Sequence, residues 1–300
     1  MANRLLRFLM ADAGIRGEWV ELDTSWFEVV KRHSLDDRCT SLLGELIAAT
    51  LLLAATIKHE GSVTAQIVGD GPVKLAVVQS RAEGSYRATL KLSESRPLPD
   101  DPEAALSDLL NPGGQGRFVI TIDPETEGGT SYQGIVPLEG QTVARMLERY
   151  MFRSEQLPTR MWLAANGERV SGLLLQKMPL DDRGPSPDSD GWNRMQKLGE
   201  TLTRDEMLEI DGETALHRLF WQEPIGEITS KPLHFACQCS RDRVATMLKM
   251  LGQQEIDDII QEQGNVSVNC EYCNTPYVFD PIDSASLFSE GAVKGSDTRQ

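Results

Sequence analysis

Apolar and polar residues alternate through much of the first part of the chain. "SYRATLKL" (residues 85–92) and "GRFVITID" (116–123) switch sides residue by residue, the period of a half-buried strand. "TSYQGIVPL" and "TRMWLAA" carry a similar pattern. "SVTAQIVGDGPVKLAVVQ" holds two β-rich runs around Gly69-Asp70-Gly71-Pro72, which predicts a hairpin turn. Two stretches follow the helical period instead. Residues 38–58 are apolar on most faces, and in residues 139–156 Val143, Met146, Leu147 and Tyr150 share one face. Strands dominate and the crossovers are irregular, so residues 1–180 are assigned to an α+β core domain.

The pattern breaks at "PLDDRGPSPDSDG", residues 179–191, whose Pro, Gly, Asp and Ser mark an exposed linker. A helical linker region, 181–230, carries it onward. Met195, Leu198 and Leu202 form one stripe, and Ala215, Leu216, Leu219 and Phe220 another. Thr203 and Glu206 have capping-box spacing for a short helix between them, stopped by Asp211-Gly212. Isolated helices below about 12–15 residues are marginal in water, so these need a surface to dock on. A plain connector and a regulatory element both fit this description.

Residues 231–283 form a third segment. Ser240 can cap a helix that ends near Gly252, and "QEIDDIIQEQ" forms a second helix ended by Gly264. "NVSVNC" and "NTPYVFD" read as two short strands joined by "CEYC". Residues 284–300 are small and polar and are expected to be a mobile tail.

Composition narrows the class. The chain has 300 residues, 40% hydrophobic, enough for about two domains with a real core. Its formal net charge of −15 and pI near 4.8 argue against a polyanionic partner. "MANRLLRFLMADAG" lacks the h-region of a secretory signal, because Arg7 and Asp12 interrupt it. The longest apolar run, Leu46 to Ile57, is shorter than the roughly 20 residues a bilayer requires and is read as a buried helix. No membrane partner and a cytoplasmic location are therefore expected. Structural disulfides are rare there, so clustered cysteines point to metal or redox chemistry.

Four of the five cysteines cluster: Cys237-x-Cys239, then Cys270-x-x-Cys273. Residues i and i+2 of an extended segment face the same way, and a C-x-x-C turn aims two sulfurs at one point. The two pairs make a closed tetrahedral set of four thiolates suited to structural zinc, Zn²⁺, one per chain. A segment of about 50 residues is close to the lower limit for a self-sufficient core. Zinc contributes about 10–16 kcal/mol in zinc-finger peptides, enough to decide whether such a segment folds. Four thiolates around Zn²⁺ carry charge −2, which Arg241 and Arg243 are positioned in sequence to offset. Residues 230–283 hold four Lys/Arg against eight Asp/Glu, a balance of −4 that weighs against nucleic acid. Thioredoxin-type and deaminase-type readings fail on context, since the C-x-x-C lies between strands and H-x-E is absent. Each pair is close enough in sequence to form its own disulfide, and oxidation would consume the ligands. The sequence permits such a switch without requiring it.

The chain resembles the redox-regulated 33-kDa heat-shock chaperone family over about residues 4–281. "CQCSRDRVATMLKMLGQQEIDDIIQEQGNVSVNCEYCNTPYVFD" matches that family's zinc domain. "GDGP" (69–72), "GRFVITID" (116–123), "YQGIVPLEG" (132–140), "SEQLPTRMWLAA" (154–165) and "HRLFWQE" (217–223) resemble its core and linker. The resemblance implies a non-enzymatic, ATP-independent holdase, inactive when reduced and zinc-loaded. It implies that peroxide with mild unfolding stress, or hypochlorous acid, drives the disulfides Cys237–Cys239 and Cys270–Cys273. Loss of zinc then unfolds the C-terminal domain and linker, whose exposed surface binds unfolding client proteins. It also implies a homodimer when active and hand-over of clients to ATP-driven foldases.

Other residues are given blander readings. Cys39 is expected to be a buried hydrophobe. His234 is an unneeded fifth candidate ligand, and His33, His59 and His217 lack triad partners. "NPGGQGR" (111–117) lacks the Lys-Ser/Thr of a phosphate loop. Trp192, Met195, Phe220 and Trp221 are expected to dock on the core at rest and to offer a client surface when released. The alternative function is a non-chaperone zinc-domain adaptor whose zinc is only structural.

Overall fold

A computed structural model describes residues 2–57, 60–101, 104–125, 129–179, 188 and 190–289. His59, most of the "PLDDRGPSPDSDG" stretch and residues 290–300 lie outside the described residues. The chain divides into two compact units, Met1–Ala236 and Cys237–Gln300.

The first unit opens with a hairpin, β1 (Arg4–Met10) and β2 (Ile15–Leu22), then α1 (Thr24–Val30) and the long α2 (Asp37–Thr56). A meander follows: β3 (Gly61–Val68), β4 (Val73–Arg81) and β5 (Ser85–Leu92). Next come α3 (Leu106–Leu110), β6 (Arg117–Pro124), β7 (Tyr132–Pro137) and α4 (Val143–Tyr150), extended by a π-helical turn over Met151–Glu155. β8 (Thr159–Ala165) and β9 (Val170–Lys177) precede three short helices, α5 (Gly191–Gly199), α6 (Arg204–Glu209) and α7 (Gly212–Phe220). β10 (Thr229–Pro232) and β11 (His234–Phe235) close the unit.

These strands form two sheets, β10-β1-β2-β9-β8 and β11-β5-β4-β3-β6-β7. All their pairings are antiparallel except β11 on β5. α2 packs against strands of both sheets. That explains why it is apolar nearly all round: fourteen of its twenty residues are buried. Its length and composition would suffice to cross a membrane, but 78% of its most apolar window is buried inside the fold, the signature of a core helix. Asp36 caps its first turn through the Cys39 N–H at 2.8 Å. α4 begins later than the periodicity predicts, because Thr142 caps it by accepting from Arg145 N–H. The glycine-rich stretch after α3 is a structural loop. Asp70 of the hairpin turn accepts from the Gly113 and Gln115 N–H groups at 3.1 and 2.8 Å.

The central strands of the first sheet, β2 and β9, are buried on both faces. Leu5, Val20, Leu22 and Leu174 join the core around α2. The alternate residues, Leu6, Phe8, Met10, Trp19, Leu173 and Leu175, pack against Met195, Met207, Leu216 and Phe220 of α5–α7. Each such side chain contributes about 1.5–3 kcal/mol on burial, which is how three marginal helices are held. The Thr203/Glu206 capping box starts α6, and Asp211 caps α7 through Thr214 N–H at 3.0 Å. Met195 and Phe220 are buried and Trp192 partly so, whereas Trp221 is exposed.

The second unit contains α8 (Arg241–Leu251), α9 (Gln253–Gln263), a hairpin of β12 (Val266–Asn269) and β13 (Pro276–Phe279), and α10 (Pro281–Ser289). Ser240 caps α8, and Gly264, at φ 82°, ends α9. The chain does not lose structure at Asp283: Asp280 accepts from Asp283 N–H, and α10 continues to Ser289. Fully buried apolar side chains here are few. Leu248, Ile256, Val266 and Phe279 form the core, with Val244, Tyr277 and Phe288 at its edge.

Candidate metal centre

The second unit brings together the four cysteines that the sequence singles out. Cys237 and Cys239 lie on irregular extended chain just before α8, and Cys270 and Cys273 lie in the β12–β13 loop. The Cys270 N–H donates to the Thr275 carbonyl at 3.0 Å, and the Asn274 N–H to the Cys270 carbonyl at 2.7 Å. Asn274 adopts φ 56°, a left-handed conformation that asparagine tolerates better than most residues. The turn therefore folds back on itself and points both sulfurs inward.

The four Sγ atoms lie within 4.8 Å of one another. Cys237 Sγ is 3.6 Å from Cys270 Sγ, and Cys239 Sγ is 3.4 Å from Cys273 Sγ. A tetrahedral zinc with Zn–S near 2.3 Å places its sulfurs about 3.8 Å apart, so the donor set fits that ion. These separations far exceed a sulfur–sulfur bond, and all four thiols are free. Both of these contacts join the two halves of the motif.

Local groups tune the sulfurs. Burial pushes the Cys237 thiol up to about 12 and raises Cys270 as well. Backbone N–H groups of Tyr272 and Cys273 oppose this at Cys270. Burial also works against ionisation of Cys273, but the Thr275 hydroxyl and N–H, together with the neighbouring thiols, outweigh it and bring Cys273 to about 7. The Thr275 hydroxyl is 3.1 Å from Cys273 Sγ. The Tyr277 hydroxyl donates to Cys239 Sγ at 3.0 Å, and this bond pushes the phenol up to about 12.

Arg241 and Arg243 do other work than their place in the sequence suggests. Arg241 donates to the Val278 carbonyl at 2.8 Å, pairs with Asp283 at 2.6 Å and lies 4.2 Å from the Phe279 ring centroid. Arg243 donates to the Gln238 carbonyl at 2.9 Å, between the first two cysteines. The side-chain hydrogen-bond partners of the sulfurs are instead Tyr277, which donates to Cys239, and Thr275, whose hydroxyl accepts from the Cys273 thiol; spacing alone reveals neither. His234 belongs to edge strand β11 of the first unit and is not among the clustered ligands. Cys39 is buried in α2, where burial pushes its thiol up to about 12, so it behaves as a small apolar side chain.

Comparison with known proteins gives a consistent picture. The model of the family described as "Hsp33 protein" matches residues 3–280. A protein named 33 kDa chaperonin from Methylobacillus flagellatus is 41% identical over 301 residues, spanning 100% of this chain and 99% of the relative. Another of that name from Chromobacterium violaceum is 43% identical, spanning 97% and 95%. The crystal structure of the 33 kDa chaperonin from Thermotoga maritima superposes with a TM-score of 0.81 at 23% identity, covering 97% of this chain and 99% of that one.

Proposed function

The chain belongs to the Hsp33 family of chaperones, and from that premise we propose that it is an ATP-independent holdase switched on by oxidation of its four clustered thiols. One observation carries this reading. The four sulfurs sit in a unit whose own apolar core is too small to dominate its stability.

In the reduced state Cys237, Cys239, Cys270 and Cys273 bind one Zn²⁺ as thiolates. Bound zinc would supply a closed four-sulfur cross-link with no open position, a structural rather than a catalytic role, in keeping with a non-enzymatic holdase. A thiolate attacks an oxygen of peroxide, breaking the O–O bond and releasing water, or that of hypochlorous acid, releasing chloride, to give a sulfenic acid. A second thiolate displaces the oxygen as water and closes a disulfide. Two thiols lose two electrons to one peroxide at each pair. We assign the pairs as Cys237–Cys239 and Cys270–Cys273. Once the chain loosens, the partners nearest in sequence meet most often, because closing a short loop costs least entropy. Oxidation thus removes the ligands and with them the folding energy of the unit. Loss of α5–α7 from the first sheet then bares Leu6, Phe8, Met10 and Trp19, with the helices' own apolar faces, to unfolding clients. The active form is a homodimer in the cytoplasm, and clients pass on to ATP-driven foldases.

The test is light scattering from a heat-unfolding client. Reduced, zinc-loaded protein should leave the scattering unchanged. Protein oxidised by peroxide at mildly raised temperature should suppress it. Equal suppression by both samples would leave a holdase that zinc does not regulate. Suppression by neither would leave zinc as a structural element of an adaptor.

A further inference from the structure

A cleft of about 610 Å³ opens in the first unit where α2 ends. Ala54, Ala55, Thr56 and Ile57 line one wall. Strands β1, β2 and β10 supply another. Arg7 and Glu18 are direct cross-strand partners, and Arg16 lies two residues from Glu18 on β2. Lys231 is opposite Leu5, two residues from Arg7. In an antiparallel sheet these positions share one face, with opposed Cβ atoms about 5 Å apart.

The charge here is opposite in sign to that of the chain as a whole. Arg7, Arg16 and Lys231 line the cleft, and their hydrogen bonds go to neutral oxygens. Arg7 donates to the Ala55 carbonyl at 2.6 Å. Arg16 donates to the Thr56 carbonyl at 2.9 Å and to the Gln176 side chain. Lys231 donates to the Ala82 carbonyl. Arg81, also in the lining, is ion-paired with Glu125. Glu18 and Glu227 are the acidic groups of the lining, and Glu83 lies near Lys231. Glu18 is only 3% exposed, and its Oε2 has no hydrogen-bond partner among the described residues. Leu5, Leu51 and Leu233 add apolar wall.

We propose that this cleft binds an oxyanion, a phosphate or carboxylate on a small ligand, through Arg7, Arg16 and Lys231, with Glu18 donating a hydrogen bond to it as the neutral acid. Three cations on a partly dry surface attract an anion far more strongly than they would in water. Two anions in one cleft repel, so Glu18 keeps its proton when the site is filled. Burial already favours this, raising Glu18 to about 7 against the opposing pull of Arg16 and Arg7. The lining lies wholly between residues 5 and 233, within the first unit, and includes none of the four clustered cysteines.

The experiment is calorimetric titration of the full reduced, zinc-loaded chain with inorganic phosphate and, separately, with hexanoate. Saturable binding of either is expected, and the comparison tells which oxyanion the cleft prefers. Lys231→Gln and Arg16→Gln should each weaken it about tenfold, as expected for loss of one charge-assisted contact. Circular dichroism checks that the variants fold; Lys231, bonded to the Ala82 carbonyl where Arg16 ties both Thr56 and Gln176, is the safer of the two. With the probe's own ionisation subtracted, affinity should fall as pH rises above about 7. Glu18→Gln should bind with no such fall. No saturable heat with either probe, or heat unchanged by both cation variants, overturns the site. A pH slope that survives Glu18→Gln overturns the role of Glu18.

Discussion

The carboxylate of Glu21, fully buried in β2, accepts a hydrogen bond from the Gly212 backbone N–H at 2.8 Å, across 191 residues of sequence. The same carboxylate pairs with Arg4 at 2.6 Å and Arg169 at 3.4 Å. Arg169 in turn donates to the Leu208 and Ile210 carbonyls, each at 3.0 Å. One buried acid therefore holds the start of α7, where helix N–H groups favour a negative partner. One arginine beside it holds the end of α6. The Gly212 position itself has no room to spare, since a Cβ there would lie 2.4 Å from the Trp19 ring.

Removing this acid should loosen the helices before the sheet. Glu21→Ala leaves the Gly212 N–H unsatisfied, a cost of about 1–3 kcal/mol. Arg4 and Arg169 are partly exposed and can rehydrate, so the loss stays below the value for a fully buried pair. Glu21→Gln keeps an acceptor and should lose less. Limited proteolysis of reduced protein should cut faster between residues 191 and 221 in Glu21→Ala. On the proposed mechanism this variant also suppresses client scattering without oxidant. Cleavage at the native rate would show that Glu21 does not hold α7.

The Tyr277 hydroxyl offers a cleaner probe of the thiol cluster, because Tyr277→Phe deletes one oxygen and leaves the ring. Groups that hydrogen-bond metal ligands typically change affinity about 10–100-fold when removed. We expect Tyr277→Phe to give up zinc to a chromophoric chelator about tenfold faster, with an unchanged circular dichroism spectrum. A native release rate would make the 3.0 Å contact to Cys239 incidental.

Much of this architecture is legible in the residues, and the gaps have physical causes. Gly69–Pro72 sets the β3–β4 hairpin, Ser240 starts α8, and cysteine spacing identifies the cluster, because each signal is local. β2 and β9 are harder to see. Both faces of these strands are covered, so "IRGEWVEL" and "VSGLLLQK" lose the alternation that marks a half-buried strand. Glu21 looks like an ordinary surface acid until strand pairing and helix docking surround it. Thr275 and Tyr277 reach sulfur only because the 270–275 loop bends back, a property of turn geometry rather than of spacing.

Metal removal should separate the two units. Among the described residues the apolar core of the second unit is Leu248, Ile256, Val266 and Phe279, and bound zinc adds on the order of 10 kcal/mol or more in comparable peptides. Chelation under reducing conditions should therefore remove the helical signal of α8, α9 and α10. All five tryptophans lie in the first unit, so their fluorescence reports that unit alone. A helical signal that survives complete zinc removal would show that the second unit folds on its apolar core alone.

The buried acid Glu18 makes stability depend on pH in a definite direction. Burial raises its folded pKa from 4.5 to about 7. Between those values the folded chain keeps the proton that the unfolded chain has released. Fewer protons on the unfolded state mean that stability falls as pH rises through this window. Below 4.5 both states hold the proton and nothing is lost; above about 7 both have released it and the loss is complete. The full shift corresponds to a loss on the order of 3 kcal/mol. Glu18→Gln carries no titrating proton, so its stability lacks this slope. Urea unfolding followed by tryptophan fluorescence should show the difference between variant and native moving in the variant's favour from pH 4.5 to about 7, then staying level. A difference that does not change with pH would mean that Glu18 is ionised throughout, and its unpartnered oxygen would then need a cation to balance it.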